Sequence, residues 1–281
     1  MESGDPLVTA EWLKDHISAP DVRVVDATWF APFLNMKKTG RQAWAESHIP
    51  GSVYFDIDAI KAGGTDLPHM LPDPVMFSSR VRKLGLGDGN RIIVYDQFNF
   101  FASARVWWML RVMGQRDVKV LDGGLRAWTE AGGEIEDLPP VPVERHFTAR
   151  VRSDLIKDAE QMLAASKSGF PTIIDSRSAE RFSGEAPEPR EGLPSGHIPG
   201  SVCLPSERLR TPDGKMKSAE ELAKLFPNPS STTIATCGSG VSAAVVALAL
   251  ARLGNWDVAV YDGSWTEWAS DGSRPIATGP A

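Results

Sequence analysis

The segment His48-Ile49-Pro50-Gly51-Ser52-Val53 returns unchanged as His197-Ile198-Pro199-Gly200-Ser201-Val202. A six-residue identity inside one chain constrains the fold more than any composition does, because it marks a repeated structural unit. An aspartate ending a β-branched run stands 22 residues before each histidine, in Val24-Val25-Asp26 and in Ile173-Ile174-Asp175. Farther on, Val120-Leu121-Asp122-Gly123 with Trp128 matches Val260-Tyr261-Asp262-Gly263 with Trp268 at an offset of 140. Two homologous units of roughly 130 residues follow. They join near Leu138-Pro139-Pro140-Val141-Pro142, which can continue neither a helix nor a central strand. We place the first domain at 1–140, a linker at 141–152 and the second domain at 153–281.

Within each unit, short runs rich in Val and Ile alternate with longer segments of helical period. Arg91 to Tyr95 precedes Ala102 to Met113, and Thr233 to Thr236 precedes Val241 to Leu253. Strands alternating with helices predict an α/β fold, each domain a mostly parallel sheet flanked by helices. Ligands in such sheets sit beyond the carboxyl ends of the strands, which directs attention to Asp96 and Cys237. A net charge of −6 and a pI near 5.5 argue against nucleic acid as partner. The acidic start resembles neither a secretory signal nor a transit peptide, and Val241 to Leu250 is about half a membrane span, so a cytoplasmic protein away from membranes is expected. Cys203 and Cys237 are too few for a disulfide scaffold or a cysteine zinc site.

The two halves differ at one informative place. Ile92-Ile93-Val94-Tyr95-Asp96 lies against Thr233-Ile234-Ala235-Thr236-Cys237, so one central strand ends in a carboxylate and the other in a thiol. Features common to both halves belong to the fold. His48 and His197 are thus expected to be turn histidines held by backbone, and Asp26 and Asp175 turn or cap residues. Cys237 opens Gly238-Ser239-Gly240-Val241-Ser242 ahead of an apolar helix. Two glycines allow close backbone approach, and the inward N–H groups with the helix dipole favour an anion on the sulfur. A free thiol is only a few per cent ionised at pH 7, so such a loop would supply a nucleophile without a metal. Cys203, in Val202-Cys203-Leu204-Pro205, reads as a packing residue.

The doubled His-Ile-Pro-Gly turn, the Asp-Gly turns before Trp128 and Trp268, and a Cys loop in the second half alone resemble the tandem-rhodanese sulfurtransferases, from about Val8 to Pro275. The loop from Cys237 to Ser242 resembles that of the 3-mercaptopyruvate-specific members, whereas thiosulfate-specific members carry basic side chains there. Ser242 stands where the family more often has threonine, which keeps the hydroxyl. The resemblance implies transfer of sulfur from 3-mercaptopyruvate through a Cys237 persulfide to a thiol or cyanide, releasing pyruvate. It carries Ser239, His69 and Asp58 over as groups that handle charge and protons. Arg181 and Arg190 carry over as the substrate-carboxylate arginines, with Gly238, Gly240, Val241 and Ser242 lining the loop. No cofactor or metal is implied; a thioredoxin-like dithiol is the implied acceptor, and a monomer is the simplest state. His69 has no counterpart in the second half, and Arg105 is expected to pair with Asp96.

Other chemistries fit less well. A phosphatase Cys-x5-Arg loop would need arginine where Ala243 stands, and a hydrolase elbow would need glycine where Cys237 stands. No dinucleotide fingerprint opens a helix, and the histidines lack metal-ligand spacing. Thiosulfate as donor and a non-catalytic binding module remain as alternatives.

Overall fold

The computed structural model describes residues 4–98 and 100–280. The first half forms strands β1 (Leu7–Val8), β2 (Val22–Asp26), β3 (Val53–Tyr54), β4 (Arg91–Tyr95) and β5 (Val118–Leu121), with helices α1 (Ala10–His16), α2 (Gly40–Glu46), α3 (Pro74–Lys83), α4 (Phe101–Val112) and α5 (Gly124–Glu130). The second half repeats them as β6 (Ile156–Lys157), β7 (Thr172–Asp175), β8 (Ser201–Cys203), β9 (Thr233–Thr236) and β10 (Ala259–Tyr261), with α6 (Ala159–Ser168), α7 (Ala179–Ser183), α8 (Ala219–Leu225), α9 (Ala243–Arg252) and α10 (Ser264–Ser270). The strand orders are β1-β5-β4-β2-β3 and β6-β10-β9-β7-β8, every pair parallel. This is the expected α/β architecture, and it sets β4 and β9 in equivalent central places.

Local sequence explains the elements that matter. Ile92 to Tyr95 and Thr233 to Thr236 are buried throughout, as strands covered on both faces must be. Ala243 to Ala251 are all buried, so α9 is a core helix held by packing. Its N-terminus lacks a side-chain cap: the Ser242 hydroxyl lies 3.0 Å from that of Ser176 instead. By contrast, α2, α6 and α8 each begin with a full capping box, from Thr39, Asp158 and Ser218. In the buried α4, Arg105 and Arg111 lay their guanidinium groups over the rings of Trp108 and Trp107.

The chain divides into two units that depart from the expected boundaries. One holds the chain to Gly63 with Leu71–Arg152 and Thr211–Met216; the other holds Gly64–Met70, Ser153–Arg210 and the chain from Lys217 onward. The stretch 141–152 is not a free linker. Its backbone is bonded into the first unit, with the His146 carbonyl accepting from Asp88 N–H and the Arg150 and Arg152 N–H groups donating to Met113 and Val112. Phe147 is buried against Phe77. No helix among the described residues is long and apolar enough to cross a membrane.

Candidate active site

Cys237 follows β9 and is 2% exposed. Its N–H and that of Gly240 both donate to the Ser264 hydroxyl, at 3.2 and 3.0 Å, and that oxygen lies 3.9 Å from the Cys237 sulfur. The carbonyls of Cys237 and Gly238 accept from the N–H groups of Trp265 and Thr266, so the first turn of α10 fixes the loop from outside. Gly240 has φ +74°, a left-handed conformation suited to glycine. A ring made of every loop amide is therefore not what forms, because two of the amides belong to Ser264. The N–H groups of Gly238, Ser239, Val241 and Ser242 have no acceptor among the described residues.

The equivalent loop of the first unit shows what such amides serve. Asp96 aligns with Cys237, placing Phe98 and Phe100 against Ser239 and Val241. Asp96 Oδ1 accepts from the N–H groups of Phe98 (3.0 Å) and Phe100 (3.2 Å), and Oδ2 from that of Ser103 (2.9 Å). Burial pushes the Asp96 pKa up to about 6 against these donors, with Asp26 adding like-charge repulsion. The twin loop thus hosts its own carboxylate. The Asp96 carboxylate is held by loop and helix amides, while Arg105 stacks on Trp108.

Cationic groups approach the Cys237 loop from the segment after α7. A side chain at Gly238 would meet Arg181 Nη2 at 3.0 Å and Arg190 Nη1 at 3.8 Å, so both guanidinium groups border the loop's first glycine. Glu188 grips Arg181 through Nε (3.1 Å) and Nη2 (2.6 Å) and also accepts from Arg177 Nη1 (2.9 Å). Arg177 in turn bonds both Asp175 oxygens and lies over the Trp265 ring. Burial works against the Arg177 charge, yet Asp175 and then Glu188 hold its pKa above the usual value. Arg190 makes no ion pair or hydrogen bond among the described residues. Burial, and behind it the Arg181 charge, draw its pKa down, with Cys237 acting in the opposite sense.

The Rhodanese-like domain family matches the chain at residues 9–131 and 156–271. The chain belongs to the rhodanese-like family. The 3-mercaptopyruvate sulfurtransferase of Escherichia coli K12 is 39% identical over 274 residues, 96% of each chain. The thiosulfate sulfurtransferase of Rattus norvegicus is 40% identical over 273 residues, 93% of this chain and 91% of its own. The crystal structure of SseA from Escherichia coli, described as a 3-mercaptopyruvate sulfotransferase, has a TM-score of 0.85 at 37% identity, covering 93% of this chain and 99% of that one. Like these relatives, the rhodanese-like chain is a sulfurtransferase of two tandem domains.

The remaining residues picked from sequence fall as follows. Ser239 is buried beside the cysteine, and its hydroxyl is uncommitted among the described residues. Val241 is buried at the loop's exit. His69 is 4% exposed, has φ +59°, and groups with the unit that carries Cys237 although it precedes that domain in sequence. Asp58 groups with the first unit, its carboxylate accepting the Trp29 indole N–H at 2.8 Å. The two repeat histidines are structural: Nδ1 of His48 meets Trp44 O at 2.7 Å, Nδ1 of His197 meets Phe182 O at 2.9 Å, and each backbone forms an antiparallel bridge. Cys203 ends β8, where burial and then Asp175 push its pKa up to about 11. Arg177, Glu188 and Ser264 escaped the sequence reading. Two of them carry the very signal that marked Cys237: Arg177 stands where the first half has Thr28, and Ser264 where it has Gly124. Among the described residues no three His, Cys, Asp or Glu side chains stand together as metal ligands would.

Proposed function

We propose that Cys237 carries sulfur as a persulfide from 3-mercaptopyruvate to a thiol acceptor such as a reduced thioredoxin-like dithiol, or to cyanide. The observation that carries this reading is the twin loop: at the place of Cys237, amides equivalent to those of Ser239 and Val241 already bind an anion. A persulfide is an anion of the same kind, and fixed amide dipoles stabilise it without reorganising.

The Cys237 thiolate attacks the donor sulfur, an S–S bond forms, and the C–S bond breaks with its electron pair passing to the carbon skeleton as the enolate of pyruvate. The persulfide gives up the proton that came with the donor thiol, and the enolate gains one to leave as pyruvate. Ser239 and His69 are the groups assigned to that proton, because both are buried in the unit that holds the cysteine. An acceptor thiolate then takes the outer sulfur and restores the Cys237 thiolate. One chain supplies the nucleophile, the amides and the arginines, so the reading needs no second copy.

Donor choice follows from charge. Relatives named for either donor are 39–40% identical, so overall identity leaves it open. The loop from Gly238 to Ser242 contains no basic side chain. Glu188 pairs with Arg181, and Arg190 beside it makes no ion pair among the described residues, a match for one carboxylate better than for a compact dianion. The test is a side-by-side rate measurement with 3-mercaptopyruvate and thiosulfate, with mass analysis of Cys237 after the donor alone. Faster turnover with 3-mercaptopyruvate and a one-sulfur increment on Cys237 are expected. Cys237→Ser should abolish transfer while the fold persists, and turnover surviving in that variant would refute the scheme.

A further inference from the structure

Ser264 is fully buried and holds φ +52°, a left-handed conformation that an L side chain adopts at a cost. The equivalent corner of the first unit has Gly124 at φ +57°, where a Cβ would collide with the Asp96 carbonyl oxygen. Both corners keep the same backbone bond, from Leu125 N–H to the Asp96 carbonyl and from Trp265 N–H to that of Cys237. The corner therefore needs no side chain to form. It carries one only in the domain that has the cysteine, and there the strain is retained.

That side chain has a defined task. The Ser264 hydroxyl donates to the Tyr261 carbonyl at 2.8 Å, and its oxygen accepts from the N–H groups of Cys237 and Gly240. One oxygen thus ties the two ends of the Cys237–Gly240 turn to the end of β10. With those two amides engaged, the turn is closed, and the amides of Gly238, Ser239, Val241 and Ser242 have no acceptor among the described residues. The hydroxyl is also 3.9 Å from the sulfur, within hydrogen-bonding reach of it.

We propose that Ser264 is a positioning residue for sulfur transfer, the hydroxyl that holds the Cys237 turn closed so that its remaining amides meet the sulfur anion. This rests on Cys237 as the sulfur carrier. Ser264 touches no substrate in this role; it fixes the geometry of the groups that do.

Two variants test it. Ser264→Ala removes the hydroxyl and keeps the strained corner, whereas Ser264→Gly removes the hydroxyl and installs the residue that the first unit uses in the same conformation. In both, kcat with 3-mercaptopyruvate should fall by about tenfold or more while KM stays within about twofold, since the loss falls on the charged sulfur and not on donor binding. Alkylation of Cys237 by iodoacetamide at pH 7, measured against Cys203 in the same sample, should slow by about fivefold or more. A folded Ser264→Gly protein with unchanged kcat and unchanged alkylation would overturn the proposal, because the corner alone would then suffice. Mass analysis of the wild-type protein after 3-mercaptopyruvate keeps the two readings apart. Absence of the added sulfur on Cys237 overturns the carrier, whereas its presence with indifferent Ser264 variants overturns only the role of Ser264.

Discussion

At the residue scale, the site turns on which charges are already spent. Arg181 is held in a two-point grip by Glu188, while Arg190, half-buried beside it, has no partner among the described residues. A planar guanidinium can meet a carboxylate with two parallel N–H groups, and an ammonium cannot. Arg190→Lys should therefore raise KM for 3-mercaptopyruvate by about tenfold despite its unchanged charge, a difference of roughly 1.4 kcal/mol. Steady-state kinetics check this, and an unaltered KM would remove Arg190 from donor binding. The asymmetry between halves that singled out Cys237 was legible at this scale because aspartate and cysteine differ in chemistry. Ser264 opposite Gly124 was legible in principle too. It passed unread because a small residue in a turn carries no signal until its left-handed φ and its hydroxyl partners are seen.

At the scale of elements, the strands and helices around the site were readable from continuous apolar runs and helical period, as the burial of β4, β9 and α9 shows. The segment from Arg177 to Arg190 was not. Between Arg181 and Arg190 it has the prolines and acids of a solvated loop, yet the Arg177 and Glu188 side chains are only 1–2% exposed and form one continuous chain of ion pairs from Asp175 to Arg181. Charged groups go inside when each finds a partner, and the partners here lie 2 to 11 residues apart in a loop whose path periodicity cannot give. Of the five charged side chains Asp175, Arg177, Arg181, Glu188 and Arg190, three are positive and two negative. Glu188→Gln keeps the shape and adds one net positive charge beside Gly238. We expect thiosulfate use to rise relative to 3-mercaptopyruvate, read as the ratio of the two kcat/KM values; a ratio that stays put or falls would mean that Glu188 only braces Arg181.

At the scale of the whole molecule, duplication was the most legible property, since the repeat fixed two domains before any element was assigned. The grouping of Gly64–Met70 with the second unit and of Thr211–Met216 with the first was beyond reach, because connecting segments pack through long-range contacts that local pattern does not encode. The first domain also sets a pH dependence. The folded Asp96 pKa of about 6 lies above the ordinary carboxylate value of 3.8, so its contribution to stability is full below that ordinary value and is lost as pH rises through about 6. Urea unfolding of the whole chain should show a stability difference on the order of 3 kcal/mol from this group between pH 4 and pH 7, and Asp96→Asn should flatten that slope. Equal slopes in the two proteins would show that Asp96 does not titrate there. In the proposed scheme, with the equivalent loop of the first domain filled by the Asp96 carboxylate and the Cys203 thiol pushed up to about 11, Cys237 is the one carrier assigned to the transferred sulfur. Under that scheme donor and acceptor alternate at one place, in ping-pong order, with no reserve held between them.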